Sequence, residues 1–414
     1  VISGNSYFCS GQLYKKALSS LPFNLTRSQK TALKQIKNDM ASDLRMLRLL
    51  QGDVGSGKTI VAFLALLDAV ECNFQAAIMA PTAILAQQHF DTLLALANRI
   101  GIKILLLTGS DRGKSRQDKL ERIASAKVEI VIGTHALFQK DIDFKKLGIV
   151  IIDEQHRFGV DQRLDFSSKG KAADILVMSA TPIPRTLMLA AYGDMDVSFL
   201  YEKPEGRRKV DTRTIPVKRL GEVVEAIGRS IRSGGKVFWI CPLVEDKKPG
   251  DASAEGRFDY LNKHFLNQTG LVHGRLKSAD KDNIMKKFSE GEVKILVATT
   301  VVEVGVDISD ASVIVIDHAE RFGLSQLHQL RGRVGRGQKD SACLLLYSSP
   351  LSETARARLS VMRETNDGFK IAEKDLKLRG SGELLGTRQS GIPQFRLADL
   401  TLHKRLLTLA SKDA

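Results

Sequence analysis

A glycine-rich segment near the start of the chain has the residue types and spacing of a phosphate-binding loop. Residues 52–59 fit the pattern G-x-x-x-x-G-K-[ST], between an apolar run and a helical pattern. The glycines let backbone N–H groups approach phosphate oxygens, and the helix N-terminus adds positive partial charge. In this pattern Lys58 reaches the β- and γ-phosphates and the Thr59 hydroxyl binds Mg²⁺. A glycine-rich turn with an exposed lysine is the alternative. The expected nucleotide contacts are Gly52, Asp53, Val54, Gly55, Ser56, Gly57, Lys58 and Thr59.

Two adjacent carboxylates could supply the rest of the hydrolytic chemistry. The apolar run 149–152 ends in Asp153 and Glu154. Asp153 is placed to hold Mg²⁺, directly or through water, and Glu154 to orient and activate the attacking water. A pair of solvated acids at a strand end is the alternative, which the phosphate loop upstream disfavours. The two segments together predict hydrolysis of a nucleoside triphosphate.

Arginines follow in the second half of the chain. Residues 329–336 read Gln-Leu-Arg-Gly-Arg-Val-Gly-Arg, so that Arg333 and Arg336 lie about one helical turn apart. Arginines that reach the γ-phosphate stabilise the charge of the transition state. We therefore expect these two side chains to complete the site, with a basic surface helix as the alternative.

Short β-branched runs, separated by segments of helical length, must position these groups. Runs that are apolar on both faces indicate buried parallel strands in βαβ units. Residues 128–134 are similar to residues 293–299, and 149–158 to 313–322, at offsets of 165 and 164 residues. The shared register predicts two α/β lobes of similar topology. We place the lobes at 25–204 and 205–350, and a helical hairpin and loop at 351–414.

Composition and charge bound the class of protein. The chain has 414 residues, and 62 Lys and Arg against 47 Asp and Glu give a net charge of +15. That balance favours a polyanionic partner such as nucleic acid, and no apolar run is long enough for a membrane helix. The four cysteines are far apart and form no CxxC pair, so we expect free thiols in a reducing cytoplasm rather than disulfides or zinc ligands.

Several segments taken together resemble superfamily 2 helicases and, within them, the RecG family of DNA helicases. Residues 153–156 look like helicase motif II, 178–182 like motif III, 295–307 like motif V and 329–336 like motif VI. The resemblance implies two tandem RecA-like lobes of the P-loop NTPase class, with ATP and Mg²⁺ as ligands. It also implies a monomeric double-stranded DNA translocase of the bacterial cytoplasm and nucleoid, which remodels forks and four-way (Holliday-type) junctions in recombination and repair.

The tail carries the more specific part of the resemblance. Residues 367–380 and 386–391 resemble a translocation motif shared by RecG proteins and the transcription-repair coupling factor, and Thr387-Arg388 is closer to RecG. Ser381 stands where the family usually has Pro, and Ala83 where motif Ia usually has Glu. The N-terminal wedge domain of the family has no match here, so residues 1–24 are interpreted as a remnant of the linker to it.

The motifs assign roles residue by residue. The catalytic group is Lys58, Asp153, Glu154, Gln329, Arg333 and Arg336, with Gln155 and His156 completing the motif II box and Thr59 and Asp153 holding the metal. Nucleotide binding adds Gln29, expected to read adenine, and Gly305 and Asp307. Coupling of hydrolysis to movement is expected from Ser179, Ala180, Thr181, Arg388 and Gln389. We expect DNA contacts from hydrogen-bond donors in loops that follow strands, because such donors suit phosphate oxygens and do not read base sequence. Loop capping is the alternative role. These residues are Thr82, Gly109, Thr134, His135, His273 and Thr299.

The same residues disfavour two other classes of nucleotide-binding protein. A GTPase would need an Asn-Lys-x-Asp signature, which the chain lacks. A DEAD-box RNA helicase would have Ala-Asp where residues 155–156 are Gln-His. A translocase similar to the transcription-repair coupling factor, and an ATP-gated DNA clamp that does not unwind, both remain as alternatives.

Overall fold

The computed structural model describes residues 3–139, 141–153, 173–180, 195–204, 209–244, 253–299, 311–335 and 340–383. These residues form two compact units, one within residues 3–204 and one within 209–383. Each unit is built around its own parallel sheet.

The first lobe contains seven strands and five α-helices among its described residues. In chain order they are α1 (Gln12–Ser20), α2 (Arg27–Met40), β1 (Leu47–Gly52), α3 (Lys58–Glu71), β2 (Gln75–Met79), α4 (Ala83–Ile100), β3 (Ile104–Leu107), α5 (Gly113–Ala124), β4 (Ile130–Gly133), β5 (Leu147–Asp153), β6 (Asp174–Ser179) and β7 (Asp196–Leu200). The strands lie in the order β3-β4-β2-β5-β6-β1-β7, all parallel.

The second lobe follows the same plan. Its elements are β8 (Asp211–Pro216), α6 (Leu220–Arg232), β9 (Lys236–Ile240), α7 (Ala254–His264), β10 (Thr269–Val272), α8 (Ser278–Glu290), β11 (Ile295–Ala298), β12 (Ala311–Ile316), α9 (Leu324–Arg331), β13 (Ala342–Tyr347), α10 (Glu353–Glu364) and α11 (Gly368–Glu383). The strand order is β10-β11-β9-β12-β13-β8, again parallel throughout.

The two sheets repeat one topology. Subtracting seven from each strand number of the second sheet gives β3-β4-β2-β5-β6-β1, which is the first sheet without β7. The prediction of two similar α/β lobes is therefore confirmed. The repeat also explains why the two pairs of similar segments have nearly the same offset, since β4 corresponds to β11 and β5 to β12.

Buried apolar side chains hold each lobe together. Helix α3 is buried along its length from Val61 to Val70, because it crosses the face of the first sheet. In the second lobe, Leu359 of α10 and Ile371 of α11 join the core of the sheet. The buried guanidinium of Arg331 donates from Nη1 to the carbonyl oxygens of Met362 (2.8 Å) and Thr365 (2.9 Å). These contacts attach the last described helices to the second lobe.

The segment that precedes α2 packs on the first lobe. Helix α1 contacts α3 and α4, with Ala17 fully buried. This packing brings Cys9 next to Cys72, just beyond the end of α3, and a disulfide joins them with a Cα–Cα distance of 6.1 Å. The expectation of four free thiols was therefore wrong for this pair, because proximity arises from tertiary packing across 63 residues of sequence. Cys241 and Cys343 are free and buried.

The described residues contain neither a membrane-spanning helix nor a metal-binding cluster of side chains. No helix there is long and apolar enough to cross a membrane. No cluster of three or more His, Cys, Asp or Glu side chains there could hold a metal ion.

Candidate nucleotide site and nucleic-acid contacts

The phosphate loop joins β1 to α3, at the edge of the first sheet where its parallel strands end. Gly55 and Gly57 adopt left-handed backbone conformations with φ of 75° and 84°, which favour glycine. Helix α3 begins at Lys58, and the Lys58 ammonium donates to the carbonyl oxygens of Gly52 (2.8 Å) and Asp53 (3.1 Å). The cation thus lies across the loop, next to the N-terminus of α3, where the helix dipole places positive partial charge.

Gln29 supports this loop from α2. The side chain is 1% exposed, and its Nε2 donates to the carbonyl oxygen of Ser56 at 2.8 Å. Its Oε1 accepts from the Thr26 backbone N–H at 2.9 Å, forming a capping box at the start of α2. Because both ends of the amide are hydrogen-bonded within the protein, the structure gives Gln29 a supporting role. Its reading of adenine stays a prediction.

Two residues beyond β7 also reach this region, and the sequence analysis did not assign them. The Lys203 ammonium lies 2.9 Å from Oδ2 of Asp53 in the phosphate loop. Glu202 accepts from the Ser28 backbone N–H at 2.9 Å, and this hydrogen bond lowers the pKa of the Glu202 carboxyl. The pairing of β7 with β1, in which Leu200 lies opposite Gly52, brings Lys203 to the loop and Glu202 to the start of α2. Only that strand pairing, which the sequence does not reveal, could have identified them.

Asp153 ends β5, two strands from β1 in the sheet. Its carboxylate is mostly buried, and Oδ2 lies 2.7 Å from Nε2 of His89 on α4. Ser179, assigned to coupling, ends β6 directly beside β1, where it is opposite Gln51; Ala180 follows it and is also buried. The sheet therefore brings the loop, the metal-ligand candidate and the described part of motif III to one edge.

The predicted nucleic-acid contacts of the first lobe follow three neighbouring strands. Thr82, Gly109 and Thr134 come after β2, β3 and β4, which are adjacent in the order β3-β4-β2. Thr82 caps α4 by accepting from the Leu85 N–H (3.3 Å), and Thr134 caps a one-turn 3-10 helix that starts at His135. Both hydroxyls therefore cap a helix, which was the alternative to a nucleic-acid contact. His135 is exposed.

In the second lobe, His273 and Thr299 follow the paired strands β10 and β11. Val272 and Ala298, the residues before them, are register partners. Both side chains are buried, and within the described residues neither Nδ1 of His273 nor Oγ1 of Thr299 has a hydrogen-bond partner. Unpaired buried polar atoms are uncommon in folded proteins and call for an explanation such as an absent ligand or water.

The remaining assigned residues lie partly within the described residues and partly outside them. Gln329 lies in α9 and Arg333 just after it, both half-buried. The assigned residues that lie outside the described residues are Glu154, Gln155, His156, Thr181, Gly305, Asp307, Arg336, Arg388 and Gln389.

Comparison with protein families gives matches over most of the chain. Residues 26–189 match the DEAD/DEAH box helicase family and residues 218–338 the helicase conserved C-terminal domain. Residues 365–414 match a narrower family, described as ATP-dependent DNA helicase RecG, domain 3, C-terminal.

Individual relatives agree with these matches. ATP-dependent DNA helicase RecG of Bacillus subtilis (strain 168) is 47% identical over 408 residues, which are 98% of this chain and 60% of the relative. The Escherichia coli (strain K12) protein of the same name is 49% identical over 94% of this chain and 57% of its own length. The chain therefore spans a little over half the length of these relatives.

Solved structures give the same result. A structure of RecG bound to a three-way DNA junction is 46% identical, with a TM-score of 0.83, over 98% of this chain and 53% of that one. Yeast Dbp5 bound to RNA, at 17% identity and a TM-score of 0.61, shares the fold alone. Over nearly its whole length the chain is therefore similar to the RecG family of ATP-dependent DNA helicases, and it matches the part of those proteins that contains the two helicase domains.

Proposed function

We propose that the chain is an ATP-driven motor that moves on double-stranded DNA and remodels forks and four-way junctions. The observation that carries this proposal is the similarity of 46–49% identity to RecG proteins over nearly the whole chain, one of them bound to a DNA junction. Because the chain spans only part of those relatives, activity on branched DNA is inferred from them.

The first lobe supports the nucleotide half of the proposal. The glycine conformations of the phosphate loop and the N-terminus of α3 suit phosphate oxygens. The Lys58 ammonium already bonds two loop carbonyls and can exchange them for phosphate oxygens. Thr59 and Asp153 offer the oxygen ligands that Mg²⁺ prefers, and a bound Mg²⁺ would neutralise charge on the phosphates.

The strand ends support the nucleic-acid half. Hydroxyl and backbone donors after β2, β3 and β4 read no base sequence, as a motor that moves along any DNA requires. The buried, unpaired atoms of His273 and Thr299 fit a phosphate contact from the second lobe. A net charge of +15 adds a general attraction, and we expect affinity for DNA to fall steeply with salt because phosphate contacts release counterions.

The two alternatives are weaker. A translocase of the transcription-repair coupling type shares the motor motifs, but residues 365–414 match the RecG family specifically. No described contact favours a clamp that binds ATP without unwinding. We further infer a monomer that acts on DNA in the bacterial cytoplasm.

The test is ATP hydrolysis and unwinding with linear, forked and four-way DNA. We expect DNA to stimulate hydrolysis, and Lys58→Ala and Glu154→Gln to abolish it. Arg388→Ala should keep hydrolysis and lose unwinding. Hydrolysis that DNA does not stimulate would contradict the motor, and stimulated hydrolysis without movement on any DNA would favour the clamp.

A further inference from the structure

His89 is a buried polar residue whose hydrogen bond joins two functional elements of the first lobe. Its side chain is about 9% exposed, and its Nε2 lies 2.7 Å from Oδ2 of Asp153, whose side chain is about 12% exposed. Since an ionised carboxylate can only accept, Nε2 carries the proton and donates it. No other hydrogen bond of the His89 ring is present among the described residues.

The position of the ring is fixed by the packing of α4. His89 lies on the same helix face as Ala86, Leu93 and Leu96, which are all buried in the first lobe. A polar ring among apolar side chains costs free energy unless it is hydrogen-bonded. Asp153 supplies that partner, so the ring cannot easily turn away from it.

We propose that His89 is a positioning residue for the magnesium site: its N–H holds the Asp153 carboxylate in the orientation that binds Mg²⁺. This inference rests on the proposed function, because it takes Asp153 as the metal-ligand carboxylate. The hydrogen bond occupies one carboxylate oxygen and restricts rotation about the last side-chain bond. Outer-shell partners of this kind change metal affinity or activity by about 10- to 100-fold when they are removed.

Three variants separate positioning from simple core packing. His89→Ala removes the donor. His89→Gln keeps an N–H donor at nearly the place of Nε2 but cannot become charged, so it tests hydrogen bonding alone. Gln87→Ala is the matched control, because Gln87 is exposed on the same helix and bonds only Asp91 in the described residues.

Two measurements apply to each variant. The first is the Mg²⁺ concentration that gives half-maximal DNA-stimulated ATP hydrolysis. The second is the affinity for fluorescent N-methylanthraniloyl-ADP with Mg²⁺ and with EDTA, which needs no hydrolysis. For His89→Ala we expect the half-activating Mg²⁺ concentration to rise about 10-fold, with a matching loss of the Mg²⁺-dependent gain in affinity. His89→Gln and Gln87→Ala should stay within about 3-fold of the unaltered protein.

The outcomes distinguish this inference from the proposed function. If His89→Ala unfolds at lower temperature but keeps the Mg²⁺ dependence of both readouts, the residue is only structural and the inference is wrong. Failure of His89→Gln to restore Mg²⁺ dependence would also contradict it. If the unaltered protein shows no DNA-stimulated hydrolysis, the proposed function fails, and the binding measurement still decides on His89.

Discussion

The side-chain nitrogen Nε2 of Gln29 donates a 2.8 Å hydrogen bond to the carbonyl oxygen of Ser56, inside the phosphate loop. The fit is close, because a Cβ added at Gly57 would clash with that nitrogen. The same side chain caps α2 through Oε1. One buried amide therefore connects the start of α2 to the loop, whether or not it also contacts a base.

Gln29→Ala should weaken ATP binding because the loop loses this support. We expect the KM for ATP to rise about 10-fold, which corresponds to the roughly 1.4 kcal/mol of one buried hydrogen bond. The thermal unfolding temperature should fall as well, since the Thr26 N–H loses its partner. Lys30→Ala, exposed on the same helix, is the control. An unchanged KM for ATP in Gln29→Ala would contradict the supporting role.

Local patterns predicted the lobes well because each strand of a parallel sheet is an apolar run of its own. The phosphate loop was equally accessible, since all its residues are contiguous. Contacts between segments that are distant in the sequence could not be predicted in this way. His89 lies 64 residues from Asp153, and on an apolar helix face it has the pattern of any core histidine. The prediction that Cys9 and Cys72 are free thiols was wrong for the same reason, because no local sequence pattern indicates that α1 packs near the end of α3.

Thr299→Val and His273→Ala should each reduce affinity for duplex DNA. Thr299→Val should leave stability unchanged, whereas His273→Ala also removes a buried ring whose Nε2 lies 4.0 Å from Glu255 and should lower it. Removing a buried polar atom that has no partner is neutral or stabilising, whereas removing a phosphate contact weakens binding. We expect a loss of about 10- to 150-fold in affinity for each variant, from a hydrogen bond of roughly 1.5–3 kcal/mol to a charged group. Fluorescence anisotropy with labelled duplex and thermal unfolding measure the two effects.

The control for these variants is Thr269→Val, at the opposite end of β10. That hydroxyl donates to the Phe265 carbonyl oxygen and should not affect DNA binding. If Thr299→Val lowers stability and leaves the affinity for DNA unchanged, its hydroxyl has an internal structural role instead.

Cys9→Ser should destabilise the protein only in the absence of a reductant. A disulfide that closes a segment of 63 residues limits the unfolded chain and contributes about 2–4 kcal/mol. We expect the variant to unfold at lower urea concentration than the unaltered protein, and dithiothreitol to abolish the difference. Cys72→Ser should behave identically, and a difference that persists in dithiothreitol would mean that packing rather than the bond is responsible.

Thiol reactivity gives a separate check on that disulfide. Without reductant, the folded protein should show no thiol that reacts quickly with Ellman's reagent. Cys241 and Cys343 are buried, and burial raises the pKa of Cys343 to about 12, which suppresses the reactive thiolate. Two fast-reacting thiols in the untreated protein would show that Cys9 and Cys72 are reduced.

Asp174→Asn should stabilise the protein above neutral pH and have little effect in acid. Asp174 is fully buried at the start of β6, where Oδ1 accepts from the Met46 N–H at 2.7 Å. Burial raises its pKa to about 7, although this hydrogen bond and Arg45 oppose the rise, and Asp39 adds to it. The folded protein therefore binds a proton that the unfolded chain has released, and stability falls as pH rises from about 4 to about 7.

Asparagine keeps the acceptor for the Met46 N–H and has no proton to lose. The gain in unfolding free energy should thus be near zero at pH 4 and grow to on the order of 2–4 kcal/mol at pH 8, at about 1.4 kcal/mol for each tenfold change in the ionisation constant. Urea denaturation across this range measures it, with the exposed Asp143→Asn as control. A gain independent of pH would mean that Asp174 has the same ionisation in the folded and unfolded chain, and that the buried carboxyl is already charged in acid.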